Sequence, residues 1–83
     1  MTRKEDRLLK TKEVLETSGI SRQVLYRYLQ MGLLEPAATT DTGRNRFSSS
    51  IFRQIELIQS LNRSGYTLRD IRDIFAKRLR KMK

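Results

Sequence analysis

Apolar positions fall into two long helical stripes in the second half of this chain and into shorter clusters before them. Ile51, Ile55, Ile58 and Leu61, joined by Phe52 and Leu57, recur at spacings of three and four, the pattern of a helix with one stripe turned to a core. Ser48 or Ser49 starts this helix, and Ser64 with Gly65 ends it. Leu68, Ile71, Ile74, Phe75, Leu79 and Met82 carry the same period onward, which predicts a further amphipathic helix. Thr67 followed by Asp70 is its start signal, a capping box with a shorter acid.

Nearer the start, Thr11 is placed to cap a short helix with Glu13 in its first turn, Val14 and Leu15 facing inward, and Gly19 closing it. Ser21 caps the next helix. The connection Ser18–Gly19–Ile20 is so short that the two helices must cross steeply over a small core of Val14, Ile20 and Leu25, the layout of a helix-turn-helix. Residues 1–8 begin with the charged, aperiodic run "MTRKEDR" and are expected to form a flexible basic arm before a single domain over residues 9–83.

After Gly32 the run "LLEP" leads away from helix, because Pro36 has no amide hydrogen and disfavours helix at Glu35. From Ala37 to Phe47 the chain reads "AATTDTGRNRF". Threonines favour extended backbone and "DTG" supplies a turn, so the segment reads as a short two-stranded wing. Its few apolar side chains leave an irregular basic loop as the alternative. The expected fold is therefore mainly α, a winged helix-turn-helix of four helices and a two-stranded wing.

Composition narrows what such a domain can do. The chain has 83 residues, with 18 Lys and Arg against 9 Asp and Glu, a net charge of +9. That field favours a polyanion, with nucleic acid first and an anionic membrane surface second. There is no cysteine and no histidine, so the common ligands of zinc and copper and any thiolate chemistry are missing. No nucleophile with a base, paired carboxylates or phosphate-cradling loop can be read, and no enzyme, cofactor or metal site is expected. Glu13, Glu16, Asp70 and Asp73 lie at helical spacings beside basic residues, where solvated pairing is their expected role. No apolar run approaches the roughly 20 residues that span a bilayer, and the expected location is the cytoplasm, at the nucleoid.

The second helix, "SRQVLYRYLQ", carries the candidate chemistry. Ser21, Arg22, Gln23, Tyr26, Arg27 and Gln30 form a polar face without an acid, while Val24, Leu25 and Tyr28 share the other side. Arginine and glutamine have forked polar groups that match guanine and adenine edges in the major groove, and tyrosine offers a hydroxyl to phosphate and a flat face to a base. Recognition residues of a helix-turn-helix lie in these first two turns. A second basic group, Arg44, Asn45 and Arg46, is expected at the wing tip, where arginine can reach phosphate or a narrow minor groove. The closing run "KRLRKMK" can also meet phosphate, or it can begin a longer helix.

These residues resemble the DNA-binding domain of the MerR family of bacterial transcription regulators. The likeness runs from about Leu9 to Phe75 and rests on "TKEVLETSGIS", "LYRYLQMGLLEP", "TGRNRFS" and "LIQSLNRSGYTLRDIRDIF". The "GLLEP" exit and the "LNRSGYTLRDI" junction are its most specific parts. The resemblance implies a second helix in the major groove, a wing on the backbone, and regulation by bending and untwisting promoter DNA, with double-stranded DNA as partner and RNA polymerase as a second candidate. Leu15 stands where the family usually has alanine, which asks the helix crossing to open slightly. Tyr26 and Arg27 reverse the family's usual arginine then tyrosine, Leu29 replaces a common glutamate, and Asn45 stands where arginine is usual. Base contacts therefore do not transfer by position. Family regulators continue into a dimerisation helix and often an effector domain, and this chain is expected to lack an effector domain, as either an excised domain or a natural minimal protein. The alternatives are an excisionase-like or chromosome-organising factor that bends DNA without instructing polymerase, and a protein-interaction module. With few apolar positions after Phe75, the 83-residue chain is expected to be monomeric off DNA, and a longer form homodimeric.

Overall fold

The computed structural model describes residues 8–81, with side chains placed as far as residue 77. Residues 1–7 of the expected basic arm over residues 1–8, and the side chains of Leu79 and Met82, therefore lie outside the described residues. In chain order the elements are β1 (Leu9–Lys10), α1 (Thr11–Ser18), α2 (Arg22–Gln30), β2 (Ala38–Thr39), β3 (Asn45–Phe47), α3 (Ser50–Arg63) and α4 (Leu68–Lys81). This is the mainly helical, winged helix-turn-helix architecture.

The wing has a third strand that the sequence pattern did not show. Its order is β1-β3-β2, all antiparallel, so β3 is central. Leu9 pairs with Phe47 and Lys10 with Arg46 on one side, and Ala38 pairs with Arg46 and Thr39 with Asn45 on the other. A strand two residues long has no alternation to read, which is why β1 escapes a periodicity argument. Its presence also shifts the start of α1. Lys10, in extended backbone at φ −81° and ψ 158°, is the capping residue, and Thr11 is already helical. The expected Thr11 cap is replaced by the Glu13 carboxylate, whose Oε1 accepts the Lys10 amide hydrogen at 2.8 Å. Glu13 thus satisfies backbone at a helix start.

One core joins all of this. Val14, Leu25, Phe47, Ile51, Ile55, Ile58 and Ile71 are essentially inaccessible, with Leu33, Leu34 and Tyr28 almost as deep. Ile20, Phe52, Leu61, Leu68 and Phe75 pack partly against it. Leu57 departs from expectation, since it is 39% exposed, at a hollow it lines with Leu33, Ile51 and Phe75. It lies between Ile55 and Ile58, off the Ile51–Ile55–Ile58 line that is fully buried. The start of α4 is a reciprocal box. The Thr67 amide donates to Asp70 Oδ2 and the Asp70 amide donates to Thr67 Oγ1, each at 3.1 Å, so Asp70 too is a capping group.

Candidate nucleic-acid interface

The turn between α1 and α2 is held by local hydrogen bonds. The Gly19 amide donates to the Leu15 carbonyl at 2.9 Å, and the Ile20 amide donates to Ser18 Oγ at 3.3 Å. Ser21 has extended backbone, φ −79° and ψ 161°, and its Oγ accepts from the Val24 amide at 3.1 Å. One orphan donor at the start of α2 is thereby satisfied without any acidic side chain. The positive end of the helix and the polar groups of its first turn stay available to an anion.

Burial divides α2 cleanly. Leu25 and Tyr28 are buried, and Val24 and Leu29 are half-buried. Ser21, Arg22, Gln23, Tyr26, Arg27 and Gln30 are all exposed. Burial raises the Tyr28 phenol above its ordinary pKa of 10.0, which keeps this core tyrosine neutral. On the outer face the Arg22 guanidinium donates from Nη1 to the Tyr26 hydroxyl at 3.4 Å.

The exit from α2 explains the run "GLL". Gly32 takes φ 79°, the left-handed region that L-residues avoid. The Leu33 amide donates to the Tyr28 carbonyl at 2.9 Å and the Gly32 amide to the Leu29 carbonyl at 3.1 Å. This is a Schellman closure, and Leu33 and Tyr28, the positions of its usual apolar contact, are both buried in the core. The chain is turned back into the core where a helix would otherwise run on, and the recognition face is limited to Arg22–Gln30.

The wing turn is equally defined. The Thr40 amide donates to the Arg44 carbonyl at 2.8 Å, and the Gly43 amide donates to the Thr40 carbonyl at 2.9 Å, with Gly43 at φ 82°. A turn followed by a left-handed residue is a common hairpin connection. Thr40 Oγ1 also accepts from the Arg44 amide at 3.1 Å. Arg44 is exposed beside the turn. Arg46 is not at the tip, where the sequence reading placed it. It lies further down the central strand, half-buried, with Nη1 donating to the Asn45 carbonyl at 3.1 Å. Asn45 is likewise half-buried.

Residues 9–78 match the model of the MerR HTH family regulatory protein. The chain belongs to the MerR HTH family. Its sequence is 32% identical over 63 residues to the HTH-type transcriptional activator mta of Bacillus subtilis (strain 168), a match covering 76% of this chain and 24% of that relative. The chain thus spans about a quarter of the length of the relative it matches.

Within this MerR HTH domain, one basic position went unnoticed in the sequence. Lys10 is the register partner of Arg46 across β1 and β3, so two cations share a face of the wing. Like charges directly opposite one another are unfavourable in a sheet, and here Glu13 and Glu16 line the same hollow as the two cations. Nothing local pointed to Lys10, because its neighbour is set by a strand pairing more than thirty positions away in the chain. Among the described residues no group of three or more His, Cys, Asp or Glu could hold a metal ion, and no helix is long and apolar enough to cross a membrane.

Proposed function

We propose that this MerR-family domain binds a specific site in double-stranded DNA, with α2 in the major groove and the wing on the adjacent backbone, and so serves transcription regulation. The carrying observation is the acid-free exposed face of α2, set opposite its buried Leu25 and Tyr28. Arg22, Gln23 and Arg27 supply forked donors for base edges, Ser21, Tyr26 and Gln30 flank them, and Arg44, Arg46 and Lys10 supply wing cations for phosphate. The printed name of the relative, a transcriptional activator, supports a regulatory role. In this reading the domain is a binding module without an enzymatic site, works at the nucleoid, and reaches RNA polymerase through the DNA it deforms.

The experiment is affinity for random duplex against salt, followed by selection of a preferred site. Each phosphate contact contributes about 0.9 to the logarithmic salt slope. Arg22→Ala or Arg27→Ala costs about 1–3 kcal/mol at the selected site and relaxes preference there. Arg44→Ala weakens every duplex alike. A response flat in salt rejects nucleic-acid binding, and a wing variant that altered sequence preference while the helix variants did not would reverse the assignment of roles.

A further inference from the structure

We propose that Tyr26 is a positioning residue that orients Arg22 for base reading, an inference resting on the DNA-binding role above. The two side chains lie four positions apart on one exposed face of α2, and the Tyr26 hydroxyl accepts from Arg22 Nη1 at 3.4 Å. No acidic residue stands within four positions of Arg22 in the chain, so nothing adjacent in sequence competes to hold the guanidinium as an ion pair.

An exposed arginine has wide rotamer freedom, and fixing it on a base edge costs that freedom. A guanidinium has five N–H donors in a planar fork. Giving one of them to Tyr26 restrains the side chain along the helix and leaves the others free for the paired acceptors of a guanine. The phenolic hydroxyl accepts in this contact, so its own proton is free to point at a phosphate oxygen. Tyr26 thereby links a backbone contact to the side chain that reads the base.

The order of Tyr26 and Arg27 is what permits this. Positions four apart on a helix are neighbours, and positions five apart are not. Exchanging the two residues would put an arginine four positions from Arg22, where like charges repel, and would carry the tyrosine away from it. The reversal relative to the usual family order therefore has a physical consequence, an arginine restrained by a hydroxyl at the start of the recognition helix.

The test is a double-mutant cycle with Arg22→Ala and Tyr26→Phe. Binding is measured to the duplex that the unaltered chain selects from a randomised pool, and to its single-base-pair variants. Arg22→Ala identifies the base pair that Arg22 reads. Tyr26→Phe should lower discrimination at that same pair by about 3–10-fold, the range of one lost hydrogen bond, and should change it no further in the Arg22→Ala background. The exchanged variant Tyr26→Arg with Arg27→Tyr should lose the same preference. Equal weakening of all duplexes by Tyr26→Phe in both backgrounds would make Tyr26 a phosphate contact alone and overturn the proposal, while base reading by Arg22 stands. If Arg22→Ala changes discrimination at no base pair, Arg22 reads nothing, and both its recognition role and this inference fall. Both side chains are exposed, so circular dichroism should show unchanged folding in every variant.

Discussion

Gly32→Ala isolates a single backbone effect at the end of the recognition helix. The position has φ 79°, and a Cβ built there meets nothing within 4 Å. Alanine would therefore create no clash, and both closing hydrogen bonds, Leu33 to Tyr28 and Gly32 to Leu29, could persist. What remains is the cost of holding an L-residue in the left-handed region, about 1–2 kcal/mol. Alanine also restricts the unfolded chain, an effect of about 0.4–1 kcal/mol in the stabilising direction. The net loss is about 1 kcal/mol, against a total stability of roughly 4–12 kcal/mol for 83 residues. For a domain of this size that lowers the melting temperature by about 4–8 °C. Urea unfolding followed by circular dichroism should show a lower midpoint at unchanged slope, which separates a stability change from a change in the unfolded ensemble. Gly32→Asn should lose less, because asparagine tolerates this backbone better. An alanine variant as stable as the parent would show that the chain leaves α2 by some other backbone path. A loss of about 4 kcal/mol, the scale of a core cavity, would show that a neighbour occupies the space found open.

Three further outcomes follow from the packing. Phe47→Ala removes the one fully buried side chain of the wing and should cost about 3–5 kcal/mol, leaving thermal melts broad or absent; a shift of only a few degrees would mean that the wing is not anchored through the core. Tyr28 has a raised folded-state pKa from burial, so its contribution is fully present below the unfolded value of 10.0 and is lost as pH rises through the higher folded value; Tyr28→Phe should flatten that alkaline loss in urea midpoints measured across pH 9–11, and an unchanged slope would assign it elsewhere. Sedimentation equilibrium of the 83-residue chain should give a monomer mass at micromolar concentration without DNA, with pairing on duplexes that carry two half-sites through their effective concentration, and a concentration-independent dimer would reveal an apolar interface.

The four helices and the polar face of α2 were legible in the sequence because they are local. Helical period, the Ser21 cap and the Thr67–Asp70 box all act over three or four positions, and each is found where its residues stand. Exposure of Arg22, Gln23, Tyr26 and Arg27 followed from the same period, since burying Leu25 and Tyr28 turns the other side outward. Tertiary structure alone decided what depends on partners distant in the chain. β1 exists because Leu9 and Lys10 pair with Phe47 and Arg46, and two residues cannot announce a strand by themselves. Leu33, Leu34 and Phe47 lie in irregular or two- to three-residue extended segments, where apolar character carries no phase, yet they complete the core under α2 and the wing. Leu57 shows the reverse, an apolar residue inside a readable helix that stays partly exposed at a hollow it lines with Leu33, Ile51 and Phe75, while Ile51, Ile55 and Ile58 fill the core. The wing cations follow the same logic. Their sign is written in the residues, but register across the central strand placed Arg46 beside Lys10 and left Arg44 at the turn, because a sheet defines neighbours by cross-strand pairing and a helix by sequence spacing.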